Sequence, residues 1–248
     1  MLRPLTDVVR GYMSMSMSYR YGFDPTARAA GEHSRGIVQR LRMRTLVALG
    51  VLAVATALLG RGFGWQDPIF MGGDIVVLAT ILAIYRWVLP LVDRHDRGAT
   101  GEEQVGGILD GLCRRGGGGW QVIHDANLGH GNVDHIAIGP AGVFTVETKS
   151  HPGPVRVARM HGAVLAQAQA ERRLVEQATG VQVQPLVVYS RAWVDRPLAR
   201  RKGVRVVPAG MLVEHLQRQP AKLSPAEVSR AQRRLARALQ QSGRRRRA

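Results

Sequence analysis

Two long apolar runs decide most of what this chain can fold into. The first, TLVALGVLAVATALLG, spans Thr45 to Gly60 without a charge. The second, IFMGGDIVVLATILAIYRWVLPLV, spans Ile69 to Val92 and is interrupted only by Asp74 and Arg86. A helix that crosses a bilayer needs roughly 20 predominantly apolar residues, with ~17 as the lower limit. Leu46 to Phe63 reaches that length if Arg61 extends its stem toward the interface. Asp74 lies near one end of the second run, and Arg86 reaches the other end with Trp87 beside it. Joined by the short link RGFGWQDP, the runs predict a two-helix transmembrane hairpin with spans at about 45–63 and 69–92. The competing reading is a pair of buried helices in a water-soluble protein. A cleaved signal peptide fits poorly, because the first run starts some 45 residues in and a second follows.

Basic residues orient such a hairpin. Arg40, Arg42 and Arg44 precede the first span, Arg94 and Arg97 follow the second, and the link offers only Arg61. The positive-inside rule then predicts a cell-membrane protein with both termini in the cytoplasm. The net charge of +17 asks for an anionic partner, either nucleic acid or an anionic membrane surface. Cys113 is the only cysteine, which excludes an internal disulfide and a cysteine-based zinc site. Aromatic residues make up 5% of the chain, which argues against a base-stacking single-strand binder. Residues 1–44, with their MSMSMS repeat, read as a flexible basic arm. A change of composition near Gly98–Gly101 marks the expected start of a soluble domain over 98–210, followed by a basic helical tail over 211–248.

The soluble part opens on Thr100-Gly-Glu-Glu103, the pattern of a capping box, with Val105, Ile108, Leu109 and Leu112 spaced as one helical face. Glu102 falls on that inward face. An acid there either serves a partner in a site or profits from the helix dipole, and the two readings weigh equally. The Gly116–Gly119 stretch makes a loop and lacks the Gly-Lys-Ser/Thr of a phosphate loop. Strands are expected over 120–127, 133–138 and 143–148, with a short fourth at 155–157. A helix over 161–179 ends at Gly180, strands follow at 183–189 and 204–207, and helices at 211–218 and 225–241. Helix, three strands, helix, strand is an α/β pattern.

The chemistry gathers in DHIAIGPAGVFTVETKS, Asp134 to Ser150. A turn centred between Pro140 and Ala141 places Asp134 directly across from Glu147, with Cβ atoms roughly 5 Å apart. Alternation puts Lys149 on the same face. Facing carboxylates destabilise a sheet unless something positive sits between them. Lys149 is one candidate and a divalent cation another, since Mg²⁺ takes one or two carboxylates with waters and phosphate. Two acids, a metal and a lysine answer the needs of phosphodiester hydrolysis. The plain alternative is a surface hairpin with a Glu–Lys pair. His124, His130, His135 and His151 crowd the same region, but alternation turns His135 away from Asp134, and no helical His spacing suits zinc. Structural or solvent-facing roles are expected for them.

Gly101-Glu102, Asp134-His135, Gly139-Pro140, Gly142-Val143-Phe144 and Val146-Glu147-Thr148-Lys149 together resemble the nuclease-related domain, NERD, over about residues 98–190. That family is placed in the restriction-endonuclease-like PD-(D/E)xK superfamily. The resemblance implies a restriction-endonuclease-like α-β-β-β-α-β core. It implies Asp134, Glu147 and Lys149 as the catalytic set, Asp134 and Glu147 as ligands of Mg²⁺ or Mn²⁺, and Glu102 as an auxiliary acid. The superfamily often adds a glutamine from the helix after the motif. Gln167 and Gln169 both qualify, and Gln169 is preferred, one turn past Leu165. Val133 stands where the superfamily's proline would be. The resemblance further implies a nucleic-acid substrate, DNA or RNA, and leaves a homodimer open.

From Arg191 onward there are 16 Lys or Arg against 3 Asp or Glu. On the last helix, Arg230, Arg233, Arg234 and Arg237 share one side and suit either phosphates of a nucleic acid or an anionic leaflet. The sequence therefore predicts a membrane-anchored, cytoplasmic, Mg²⁺-dependent nuclease. The alternative is an inactive nucleic-acid-binding or membrane-associated scaffold that keeps the fold.

Overall fold

The computed structural model describes residues 29–63, 68–115, 119–129 and 131–245. The first element, α1 (Glu32–Phe63), carries the first apolar run. The second run lies in α2 (Pro68–Ala83), a five-residue π turn (Ile84–Val88) and α3 (Leu89–Arg115), which follow one another without a break. The π turn has a local cause. Pro90 has no N–H to give the Arg86 carbonyl, and its ring would crowd that group. The helix widens just before it, and the Leu89 N–H reaches back to Ile84 O.

α1 and α3 run antiparallel, tied by Arg35 to Glu103 and by Arg42 to Asp96 at 3.7 Å. Exposed pairs of this kind contribute ~0–1 kcal/mol each. Apolar side chains along both runs face outward: Leu46, Val51 and Leu58 on α1, and Ile75, Leu78 and Leu82 on α2 are all more than half exposed. Arg35–Leu58 and Ile75–Arg114 are long and apolar enough to cross a membrane.

Two expectations change here. The arm expected over residues 1–44 is helical from Glu32 onward, and its earlier part lies outside the described residues. The boundary expected at Gly98–Gly101 is helix interior. Thr100 does not cap: its hydroxyl donates to Asp96 O one turn back, and Glu103 bonds Arg35 instead of closing a capping box. An N-cap is only needed where a helix begins, and this helix began more than 30 residues earlier.

The strands are β1 (Gln121–Asn127), β2 (Asn132–Gly139), β3 (Gly142–Lys149), β4 (Gly153–Val155), β5 (Val183–Tyr189), β6 (Ala192–Val194), β7 (Arg200–Arg201) and β8 (Val204–Pro208). The remaining helices are α4 (Gly162–Thr179), α5 (Leu212–Gln217) and α6 (Pro225–Arg245). The main sheet runs β1-β2-β3-β5-β8-β7, and β4 pairs with β6 in a separate two-stranded ribbon. β1, β2 and β3 are antiparallel; β3, β5 and β8 are parallel, with α4 as the crossover between β3 and β5. The expected helix, three strands, helix, strand order is present as α3-β1-β2-β3-α4-β5.

The sheet is covered on both faces. Val105, Leu109 and Leu112 of α3 pack with Phe144, Val146, Leu186 and Val188, and α5 adds Leu212 and Leu216. On the other face, Val175 of α4 and Val228, Leu235 and Leu239 of α6 cover Ile136, Ile138 and Val143. A fully buried side chain of this size stabilises by ~1.5–3 kcal/mol. The C-terminal segment is therefore no separate tail: α5 and α6 complete the two layers. α6 starts with a true capping box, in which the Ser224 N–H donates to Glu227 Oε2 at 2.8 Å. α4 ends on left-handed Gly180, φ +73°, as its sequence predicts.

Candidate active site

The hairpin register is the one read from the sequence. His135 pairs with Val146 and Gly139 with Gly142, so one further step faces Asp134 with Glu147. The turn is made by glycines for steric reasons. A Cβ at Gly139 would lie 2.3 Å from the Trp120 ring, and Gly142 has φ +127°. Glu147 sits in the middle of the sheet, between β2 and β5, and is 2% exposed. Lys149 Nζ donates to Glu147 Oε1 at 2.5 Å and to Gln167 Oε1 at 3.2 Å. The Thr148 N–H donates to Asp134 Oδ2 at 2.8 Å.

α3 brings Glu102 to the same place, and Gly101 permits it. A Cβ at Gly101 would meet Ser150 Cβ at 2.8 Å and Ser190 Oγ at 2.9 Å, so the bare backbone lets the helix press against the ends of β3 and β5. Burial drives the Asp134 carboxyl well above its usual range, reinforced by the charges of Glu147 and Glu102; the Thr148 N–H and Lys149 oppose the rise. Burial works to lower the Lys149 ammonium, but Glu147, Asp134 and Glu171 together outweigh it and the group ends above its ordinary value.

α4 supplies Gln167 rather than the preferred Gln169. Gln169 turns to the other side of its helix, where its amide donates to Lys202 O at 2.8 Å. There it lines a separate cavity of ≈ 440 Å³ with Arg172, Arg200 and Arg205. Two residues shift a helical side chain by about 200°, so only one of the two glutamines can face the sheet.

The sequence reading passed over Glu171. It is 4% exposed and opposes Glu147 from α4. Burial first, and the nearby Glu147 charge second, push its carboxyl up to about 10, so it holds its proton at neutral pH. Glu147 Oε2 and both Glu171 oxygens are shut off from solvent, and the Glu171 carboxyl lies within hydrogen-bonding reach of Glu147. A signal was present: Leu165, Ala168, Glu171 and Val175 form the inward stripe of α4. An acid in such a stripe asks for a partner, just as Glu102 does.

His124 and His135 pair through their Nδ1 atoms at 2.8 Å, and His124 Nε2 lies 3.0 Å from Asp110 Oδ1. His135 is fully buried away from the carboxylates, where burial lowers its pKa. His151 is exposed, and His130 lies outside the described residues.

Three acids from α3, β2 and β3, a lysine and a glutamine thus meet at one end of β3, with Glu171 behind them. Residues 97–190 match the nuclease-related domain, NERD. The NERD segment holds every residue of this cluster. No curated protein matches the chain. Among solved structures, a repair endonuclease from Pyrococcus abyssi aligns at 16% identity with a TM-score of 0.25, covering 47% of this chain and 45% of that one. The chain thus spans less than half of that structure, and the score does not equate the two folds.

Among the described residues no three His, Cys, Asp or Glu converge as a complete ligand cage. Mg²⁺ does not require one: it takes one or two carboxylates and keeps waters. The carboxyl oxygens of Asp134 and Glu147, hard donors brought to facing positions at one end of β3, suit such an ion.

Proposed function

We propose that this chain is a membrane-anchored nuclease of the PD-(D/E)xK type that hydrolyses phosphodiester bonds of nucleic acid. The observation that carries this reading is the meeting of Asp134, Glu147 and Lys149 at one end of β3, inside a NERD segment. Asp134 and Glu147 would hold Mg²⁺ or Mn²⁺, which when bound lowers the pKa of a water and neutralises charge on the phosphate. Lys149 Nζ would orient the attacking water and offset negative charge as it develops on the phosphorus-bound oxygens. Gln167, bonded to the same ammonium, fixes its direction. Glu102 is the further acid at the cluster, placed to influence Asp134. The outward-facing apolar stretches of α1 and α2 support a two-span anchor, with both termini and the NERD segment on the cytoplasmic side.

The test uses the full chain in detergent micelles, with labelled DNA and RNA, in Mg²⁺ or EDTA. Wild-type protein cleaves in Mg²⁺ only, and Glu147→Ala and Lys149→Ala each lower the rate by at least ~10²-fold, the usual cost of removing a transition-state donor. Cleavage that survives both substitutions would overturn the assignment.

One observation favours a second reading. The ion pair of Lys149 with Glu147 and the proton on Glu171 balance the buried charge without a cation, as an inactive scaffold of the same fold requires. Binding without cleavage across a broad substrate panel would select it.

A further inference from the structure

A cleft of ≈ 720 Å³ opens beside the carboxylate cluster, between the membrane-proximal part of α3 and the segment from β4 to α4. Arg94 and Arg97 line it from α3, Arg156 and Arg159 from the β4–α4 segment, and Lys149 of the carboxylate cluster lines it too. No acid lines it. The same lining includes apolar surface from Pro152, Pro154, Val155, Met160 and Tyr189, beside Ser150, His151 and His161. Cations alternating with apolar surface match a ligand that offers both phosphates and the faces of rings. A single strand does so. A duplex turns its bases inward and shows its phosphates.

A second observation comes from the small ribbon. β4 and β6 pair in parallel, with Pro154 opposite Trp193 and Val155 opposite Val194. Val155 and Val194 are buried, so Pro154 and Trp193 share the outer side. Pro154 lines the cleft, which puts Trp193 at its rim. Trp193 is 67% exposed, and among the described residues it is the one large apolar side chain so exposed outside the two apolar helical stretches. An indole left bare at the edge of a basic cleft is a platform for stacking a base. The low aromatic content of the chain argues against a row of such platforms, but one well-placed ring is enough for one stacked base.

We propose that this cleft, with Trp193 at its rim, binds a single-stranded stretch of nucleic acid and leads its backbone to Lys149. The proposal rests on the nuclease reading and names its substrate class.

The experiment places the full chain in phosphatidylcholine nanodiscs with EDTA, which separates binding from cleavage. Fluorescence anisotropy compares a labelled single-stranded oligonucleotide with a blunt duplex of the same length. The single strand binds about tenfold or more tighter than the duplex. Trp193→Ala weakens the single strand by about tenfold, the size expected for one lost base stack. Trp193→Phe restores most of the loss, and neither change alters duplex binding. Arg156→Gln with Arg159→Gln weakens the single strand and flattens its salt dependence, whereas Arg233→Gln with Arg237→Gln on α6 does not change the preference. Equal affinity for duplex, or an indifferent Trp193→Ala, overturns the proposal. So does an effect of the Arg156 and Arg159 changes confined to binding of phosphatidylglycerol vesicles, which would make the cleft a lipid-headgroup site. Adding Mg²⁺ then separates the two claims. Single-strand preference without cutting removes the nuclease reading and leaves the cleft; cutting without the preference does the reverse.

Discussion

Asp134, Glu147 and Glu171 gather round the ammonium of Lys149, and the protons that Asp134 and Glu171 retain decide how this cluster responds to pH. Glu171 is raised to about 10 in the folded chain from an ordinary value of 4.5. Its contribution to stability is therefore complete below about pH 4.5 and is lost progressively as pH rises toward 10. Glu171→Gln keeps the shape and removes the ionisation. The melting temperature of this variant should exceed that of the wild type at pH 8 by about 4 °C or more, and the gap should close toward pH 5; ~1 kcal/mol moves the midpoint of a domain this size by about 2–4 °C. A constant gap across that range would show that Glu171 is not the titrating group. A divalent cation should compete with the retained protons. Millimolar Mg²⁺ in metal-free buffer should raise the melting temperature of the wild type by about 5–11 °C, the equivalent of the ~2.7 kcal/mol of added stability expected at a hundredfold excess over Kd. Glu147→Gln should abolish the rise.

At the scale of elements, the glycines of α3 give a paired prediction. Gly101→Ala drives a Cβ against Ser150 and Ser190, whereas at Gly107 nothing lies within 4 Å. Gly101→Ala should destabilise by ~1–3 kcal/mol as an overpacked contact. It should also lower cleavage by moving Glu102. Gly107→Ala should be neutral or stabilising by up to ~1 kcal/mol, because alanine suits a helix interior better. Urea denaturation of both variants checks the pair. The elements themselves were legible wherever one local rule acted alone. Strand alternation and the Gly-Pro-Ala-Gly turn gave the Asp134–Glu147 register, and Gly180 gave the end of α4. The Thr100–Glu103 pattern misled, because a capping box in sequence says nothing of whether the chain was already helical upstream. Gln167 and Gln169 could not be separated, since the choice depends on which side of α4 meets β3, a tertiary fact. Glu171 was legible in principle as an acid within an apolar stripe. Its role depends on the facing strand, which no local pattern reveals.

For the whole molecule, the proposed function would assign membrane attachment and substrate contact to different surfaces. If the outward apolar faces of α1 and α2 hold the chain in a bilayer, 1 M NaCl should leave it in the membrane fraction and detergent should release it. Release by salt alone would instead credit the exposed arginines of α6, whose attraction to anionic lipid is screened. α6 presents Arg230, Arg233, Arg234 and Arg237 to solvent while its other side completes the core, so its charge has a fixed direction. The unbroken helix from Pro68 to Arg115 has a mechanical consequence. At ~1.5 Å per residue, Glu102 stands only about 22 Å along the axis from Trp87, with no swivel between them. With α1 braced alongside, such a post would work as a ruler. Strands drifting free in the cytoplasm would have to descend to lipid level to be cut, and each residue added to the post would lift the cutting edge by ~1.5 Å and turn it by about 100°.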